Sequence, residues 1–467
     1  MVAVPLGTSS YRRRDARTPE ISLINVLLEQ DPTNQVDGKV YIQRPGMSVF
    51  ANVGAGAIRG VFRKLGVLGG QYIVVSGTSL YLVSQLGAVT NLGTIPASDL
   101  VSIDASSDRV IIVADGTAYS TDGVTIVAVV VPDIDTNPSP ISSVCYINGY
   151  FILTVQDSQH FFWLAPGDVD PDPLNFASAE NAPGNIVGAF RLLDEVWMFC
   201  DQGTEILQLS GDLNAPFIPI VGRIYQKGCA NRDSVAELDN TLFWVGNDFI
   251  VYRAETIPVR ISDHSIEERL RLAGASALRA WAMIMTGHTL YALRAGDIGT
   301  FVHDVENKNW VRWKTYGQET WQAHLGGQVA GNLIVTGDDT DGILWQLDQT
   351  LSNDNGVVME RELTAGLPII GKSVSCRSFS LKVAVGLGTT GGTVAEPTIA
   401  MRYSDDIGNT WSSWLEESLG AEGEFKTKVL WTQLGQMESP GRIFHIRVTD
   451  DTLFRVNYAR INDDDYL

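Results

Sequence analysis

The pattern of apolar and polar residues predicts β-hairpins, and the clearest one lies at residues 72–83. Two short runs of β-branched and aromatic residues flank a Ser76-Gly77 turn there, which is the sequence signature of a hairpin. Both runs are apolar almost throughout, so we expect both faces of the hairpin to be covered. The same pattern recurs at residues 109–119, 150–164, 196–209, 242–254, 290–305 and 333–347.

These hairpins repeat at a nearly constant spacing. Their turns lie at positions 77, 116, 158, 203, 246, 296 and 337, which are 39 to 50 residues apart. A period in the forties, with mostly strand in each unit, is typical of propeller blades. The sequence therefore predicts an all-β protein with a β-propeller of six or seven blades, and a pair of β-sandwiches is the alternative.

The hairpin period divides the chain into three predicted parts. Residues 61–350 are the predicted propeller, and residues 1–60, which lack the period, are predicted to form an N-terminal arm and a lead-in. Residues 351–467 carry longer strands and predict an additional C-terminal β-rich region. One exposed helix is predicted at residues 266–273 on the propeller rim, with Ser265 as its N-cap, Glu268 closing the capping box and Gly274 at its end.

Composition narrows the classes of function. The net charge of −20 argues against a surface that grips nucleic acid phosphates. The four Cys lie far apart and the six His are scattered without the spacing of metal ligands, so we expect buried thiols, no metal and no cofactor. The chain shows neither a long uncharged apolar run nor a signal-peptide pattern, which favours a soluble, unexported protein without membrane insertion.

The densest basic cluster lies near the N-terminus and consists of Arg12, Arg13, Arg14 and Arg17. One interpretation is a solvated arm, and the other is a site that docks onto an acidic partner.

A turn motif lies in the C-terminal region. Residues 403–411 read Tyr-Ser-Asp-Asp-Ile-Gly-Asn-Thr-Trp and match the Asp-box of hairpin turns in sialidase-like and related β-proteins. Its residues here are Ser404, Asp406, Gly408, Thr410 and Trp411. We expect Asp406 to bond turn amides, Gly408 to adopt a positive φ and Trp411 to pack under the turn. A single box is a folding device and does not imply glycosidase chemistry.

Several stretches, in the same order along the chain, carry a resemblance to a known family. The most specific is the Ile-Ser…Ser-Ile-Glu passage within residues 258–267, just before the predicted helix. The others are the lead-in at 44–46, residues 203–211, 228–230, 243–245, 251–253, 303–310 and the Asp-box hairpin with 429–431 and 435 after it. Together they resemble the packaged-DNA stabilisation protein, or tail hub (nozzle), of short-tailed bacteriophages. The N-terminus and most loops depart from that family.

The resemblance implies a structural virion protein of the phage tail, made in the cytoplasm of the host bacterium. It implies a homo-hexameric ring that closes the DNA channel after packaging and retains the DNA until ejection. Its partners would be other copies of itself, the portal-bound head-to-tail adaptor, and the tail needle, tailspikes or fibres. DNA would pass through the channel without specific binding, because a negative wall repels it. Propellers of this family have six blades, so one of the seven hairpins is expected to be an insertion or a shared closing blade.

Two other functions fit parts of the sequence. The Asp-box suggests a sialidase-like propeller glycosidase, but such an enzyme needs clustered carboxylates or an Arg cluster. The acidic residues are too numerous and scattered to nominate a pair, so we expect no enzyme. The remaining alternative is a generic cellular propeller that serves as an interaction scaffold.

Overall fold

A computed structural model describes residues 2–11, 21–31, 38–96, 99–134, 139–285, 287–328, 333–369, 371, 373–389 and 394–463. The predicted docking residues Arg12, Arg13, Arg14 and Arg17 lie outside these ranges.

Seven antiparallel four-stranded units form a β-propeller within the described residues. Each predicted hairpin supplies the two middle strands of one blade, which confirms the propeller. The strands run from inner to outer as follows: blade 1, Ile58–Phe62, Tyr72–Ser76, Ser79–Val83, Val89–Thr94; blade 2, Ser102–Ala105, Val110–Ala114, Thr117–Thr121, Ile126–Ala128; blade 3, Ile141–Ile147, Tyr150–Val155, His160–Leu164, Phe176–Ser178; blade 4, Ile186–Leu192, Glu195–Cys200, Thr204–Leu209, Phe217–Tyr225. The remaining blades are blade 5, Ala236–Leu238, Thr241–Val245, Val251–Arg253, Val259–Arg260; blade 6, Leu278–Met285, His288–Ala295, Gly299–Asp304, Asn309–Trp313; and blade 7, Ala323–Gln328, Ile334–Asp338, Gly342–Asp348, Gly46–Gly54.

Blade 7 closes the propeller with a strand from the start of the chain. Gly46–Gly54 pairs antiparallel with Gly342–Asp348, with Met47 opposite Leu347. The inner strands of blades 7 and 1 are in contact, so the blades follow one another around a closed circle. Joining the first and last strands in one sheet removes a free edge from the ring of blades.

A β-sandwich packs against the propeller and draws on both ends of the chain. Its first sheet contains Val26–Gln30, Lys39–Gln43, Arg455–Ile461, Ser378–Val383 and Val429–Thr432, with Val2–Val4 also paired to Arg455–Ile461. Its second sheet contains Leu23–Ile24, Arg361–Pro368, Gly441–Val448, Thr398–Ser404 and Leu415–Ser418. Two small strand pairs are Asn353–Asp354 with Val357–Val358, and Val374–Ser375 with Gln436–Met437. The described strands within the first 60 residues thus pair with both the propeller and the C-terminal strands.

Propeller and sandwich share a continuous core. Ile24 pairs in parallel with Arg312 of blade 6, so the second sandwich sheet continues the sheet of that blade. One buried cluster contains Trp281 and Trp313 of the propeller together with Phe379 and Phe444 of the sandwich. Burial of large aromatic side chains is a major contribution to stability, and here it fixes the two parts to each other.

The helix spans His264–Ala273 and begins two residues before the predicted start. Its N-cap is Asp263, whose Oδ1 accepts from the N–H of Ile266 at 2.9 Å, so the predicted cap Ser265 was wrong. Asp is as good a cap as Ser, and the sequence offers both. Glu267 is buried and accepts from the hydroxyl of Ser262 at 2.8 Å, so the helix is less exposed than its charges predicted. Short 3-10 turns occupy Leu68–Gly70, Arg232–Ser234 and Ala275–Ala277.

Candidate functional site

The Asp-box residues form a compact hydrogen-bonded turn after the strand Thr398–Ser404. Oδ1 of Asp406 accepts from the N–H of Thr410 at 2.8 Å and from the hydroxyl of Ser404 at 2.7 Å. The hydroxyl of Thr410 donates to Oδ2 of Asp406 at 2.7 Å, and the N–H of Gly408 donates to Ser404 Oγ at 2.8 Å. Gly408 has φ +91°. The bond from the Thr410 N–H, followed by those from the two hydroxyls, lowers the pKa of Asp406 to about 2.

The turn is attached to the sandwich by alternating Trp and Arg side chains, which we call the Trp–Arg stack. The Arg402 guanidinium carbon lies 4.7 Å from the ring centre of Trp411 and 4.5 Å from that of Trp414. The guanidinium carbon of Arg447 lies 4.1 Å from the Trp414 ring. These are cation–π distances. Sequence reasoning missed Trp414, Arg402 and Arg447, although a Trp-x-x-Trp spacing beside strand arginines was visible.

The Trp–Arg stack continues into a polar chain on the same sheet. Arg402 donates to His445 Nδ1 at 3.0 Å, and His445 Nε2 lies 3.1 Å from Glu362. Burial alone raises the pKa of Glu362, but its hydrogen bond with His445, together with the Lys314 and Arg447 cations, outweighs that effect and lowers the pKa. Since each group already has a partner, the arrangement holds the sheet and turn together rather than exposing reactive groups.

The axis of the propeller contains a cavity of about 540 Å³ lined by both apolar and charged residues. Arg232 crosses it, donating to the carbonyls of Ser142 in blade 3 and, at 3.0 Å, of Leu100 ahead of blade 2. The Lys64 ammonium lies 3.4 Å from Asp104, and Arg191 lies 3.6 Å from Glu237. Burial raises the pKa of both Asp104 and Glu237, and the neighbouring cations offset part of that rise.

This cavity cannot pass duplex DNA. The major groove of duplex DNA is itself about 12 Å wide, so the whole duplex is wider still. A single Arg232 side chain, in contrast, is long enough to reach across the axis. DNA that meets this protein must therefore run outside the propeller axis.

Two buried arginines connect the N-terminal segment, the end of the propeller and the sandwich. Arg44 contacts both carboxylate oxygens of Asp354, at 2.9 and 2.6 Å, and donates to Asn25 Oδ1 at 2.9 Å. Arg361 donates to the carbonyls of Thr452, at 2.9 Å, and Asp450. Burial lowers the pKa of Arg361 to about 10. Buried cations of this kind require satisfied partners, so these bonds fix the geometry of the junction.

The described part of the chain shows no group of three or more His, Cys, Asp and Glu that could hold a metal ion. All four cysteines are buried and unpaired, and burial raises the pKa of Cys145 well above its usual value. Among the described residues, no helix is long and apolar enough to cross a membrane.

The strands and the buried contacts thus define a seven-bladed propeller joined to a β-sandwich through a shared core. Two family models match most of the chain. The model for the bacteriophage P22 Gp10 β-propeller matches residues 3–352, and that for the bacteriophage P22 Gp10 β-sandwich matches residues 363–463. The chain belongs to this family of phage tail hub proteins, which stabilise packaged DNA, and is a structural component of a phage tail.

Other comparisons add only general likeness. No curated protein matches the chain. PorZ, a surface component of the type-IX secretion system of Porphyromonas gingivalis, is 11% identical over 80% of this chain, with a TM-score of 0.42. The chain covers 46% of PorZ. The Pan2 WD40 domain of Neurospora crassa is 8% identical over 66% of this chain and 97% of that domain, with a TM-score of 0.44.

Proposed function

We propose that several copies of this protein form a ring, a hexamer by the resemblance, that closes the tail channel after packaging and retains the DNA. The ring links the portal-bound adaptor above it to the needle, tailspikes or fibres below it. The observation that carries the proposal is the Arg232 side chain, which crosses the propeller axis. Since DNA cannot thread one subunit, a tail hub that conducts DNA needs a channel between subunits.

The shared core of propeller and sandwich supports this proposal. A subunit that bears the pressure of packaged DNA must keep its two parts in a fixed relation. The Trp281, Trp313 and Phe379 cluster and the buried Arg44–Asp354 pair provide that fixed relation.

The test removes the protein from the particle. Heads assembled without it should package DNA and then lose it, and purified protein added back should restore retention. A variant with a change at an exposed loop, Asp212→Asn, is the matched control and should restore retention equally. Particles that lack the protein, keep their DNA and remain infectious would refute the proposed function.

We further propose that the protein is not a hydrolase. Asp104 and Glu237 line the axial cavity with raised pKa values, which is the feature a glycosidase would need. Each carboxylate, however, already faces a cation, Lys64 or Arg191. We expect no turnover of a fluorogenic sialoside or other glycoside; turnover that disappears in Glu237→Gln would establish an enzyme.

A further inference from the structure

The outer edges of blades 2 and 3 form one exposed apolar surface, which we call the blade 2–3 surface. The loop that follows the third strand of blade 3 lies against blade 2, because Val130 N–H donates to Asp170 Oδ1 at 2.7 Å. Arg109 of blade 2 donates to the carbonyl of Asp168 at 3.3 Å. Val130 is 70% exposed, Val169 45% and Leu174 82%. Apolar side chains grouped in this way mark a binding surface more often than scattered ones do.

The blade 2–3 surface is rimmed by acidic side chains. Asp133, Asp168, Asp170 and Asp172 are all exposed. Among the described lysines and arginines, none forms a salt bridge with these four carboxylates. An apolar surface with a negative rim is complementary to a basic segment.

The chain itself contains such a segment. Arg12, Arg13, Arg14 and Arg17 lie between Tyr11 and Ile21. Tyr11 and Ile21 exchange backbone hydrogen bonds of 2.8 and 2.9 Å. They are held at the outer edge of blade 6, where Ser10 N–H donates to the Trp310 carbonyl at 2.7 Å.

Blade 6 lies on the opposite side of the propeller from the blade 2–3 surface, three blades away from blade 2 in one direction and from blade 3 in the other. Strands are about 4.8 Å apart, so opposite rims are separated by at least about 28 Å before the central cavity is added. The chain between Tyr11 and Ile21 is tethered at both ends and its backbone reaches at most about 19 Å. The basic segment therefore cannot reach the blade 2–3 surface of its own subunit.

We propose that residues 12–17 of one copy bind the blade 2–3 surface of the next copy. The contact is head-to-tail, because the two partners lie on opposite sides of each subunit, and head-to-tail contacts generate rings when the rotation closes. This inference rests on the proposed ring and names the surfaces that form it.

Cross-linking in completed particles tests the contact. Two variants are prepared, Ala16→Cys in the basic segment and Val169→Cys in the blade 2–3 surface. The natural cysteines are buried and do not compete for the reagent. Particles that lack the protein are completed with an equal mixture of the two variants and treated with a short bismaleimide. We expect covalent dimers from the mixture and none from either variant alone.

The matched control replaces Val169→Cys with Leu213→Cys, which lies on the rim at blade 4 and is 77% exposed. It should give no dimer. If the completed particles retain DNA but the Ala16→Cys and Val169→Cys mixture gives no dimer, the inference is wrong while the proposed function stands. If particles retain DNA without any of this protein, the proposed function itself fails.

Charge-reversal variants test the same contact if the cysteine variants do not incorporate into particles. Asp168→Arg with Asp172→Arg should reduce incorporation into particles by about tenfold or more, through like-charge repulsion. Adding Arg12→Glu and Arg13→Glu to the same chain should restore it, since both partners then carry reversed charge. If the added substitutions do not restore incorporation into particles, the proposed contact is wrong.

Discussion

Gly408 occupies a backbone conformation that other residues adopt only with strain. Its φ is +91°, and a Cβ there would lie 3.6 Å from the Trp411 ring. The space is sufficient, so the cost of a side chain comes from the backbone. We expect Gly408→Val to lower the free energy of unfolding by about 1–3 kcal/mol, measured by urea unfolding followed by tryptophan fluorescence.

Gly366 provides the control for this substitution. It lies in Arg361–Pro368 of the same sheet, and a Cβ added there would meet no atom within 4 Å. Its φ is outside the left-handed region, so Gly366→Val should change the free energy of unfolding by less than about 0.5 kcal/mol. An equal, small effect at both glycines would show that the Asp-box turn does not contribute to folding.

The lowered pKa of Asp406 predicts that the stability contributed by the Asp-box turn depends on pH. Its pKa is lowered to about 2 in the folded state, first by the Thr410 N–H, against about 3.9 unfolded. A carboxylate whose pKa is lowered by folding stabilises the folded state. This contribution is complete above the pKa of the unfolded state and is lost as the pH falls through the pKa of the folded state. The difference in stability between the native protein and Asp406→Asn should therefore shrink from pH 5 towards pH 2. A difference that stays constant over that range would contradict the assignment.

Residue-level features differ in how far sequence predicts them. The Asp-box bonds join residues no more than four positions apart, so local spacing is enough to expect them. The Trp–Arg stack joins Trp414 to Arg402 and Arg447, which lie on two strands that are neighbours only after folding. The helix cap was missed for a different reason, since Asp263 and Ser265 are both good caps in sequence.

At the scale of elements, the repeat predicted the blades because each hairpin is local. Seven turns at a period in the forties correspond to the middle strands of seven blades. The closure of the propeller by a strand from the start of the chain could not be predicted from a local pattern. Met47 pairs with Leu347 across 300 positions, and nothing in a local pattern specifies such a partner. The same holds for Val2–Val4, which pairs with the end of the chain.

The junction of propeller and sandwich yields a prediction about buried charge. Arg44 and Asp354 are buried and paired at 2.6 Å. Arg44→Met should lower the free energy of unfolding by about 3–5 kcal/mol, because Asp354 is then a buried charge without its partner. The double variant Arg44→Met with Asp354→Leu should recover part of that loss. Chemical unfolding of the four proteins of this cycle measures the coupling.

The surface pair Arg312–Glu319 is the control, since Glu319 is largely exposed. Glu319→Gln should cost no more than about 1 kcal/mol. If Arg44→Met proves as mild as Glu319→Gln, the buried pair does not hold the junction together.

At the scale of the whole molecule, the crossed propeller axis and the negative net charge together limit how the protein contacts DNA. The propeller axis is crossed by Arg232, and acidic residues outnumber basic ones by 54 to 34. Sequence alone supplied the charge and the fold class. The crossed axis, in contrast, depends on the Arg232 side chain reaching the main-chain carbonyls of Ser142 and Leu100, which are distant in sequence. Duplex DNA that contacts this protein therefore lies outside the propeller axis.

This charge balance predicts that the free protein does not bind duplex DNA at physiological salt. Non-specific binding requires several phosphates to be neutralised by Lys and Arg, and it weakens steeply as salt rises. A gel-shift titration with protein up to micromolar concentration should show no complex. A shift that disappears at higher salt would contradict the prediction, and Arg12→Gln with Arg13→Gln and Arg14→Gln would then show whether the basic segment causes it. A tail hub must release the DNA that it retains, and a surface that does not bind phosphates lets the duplex leave without breaking ionic contacts.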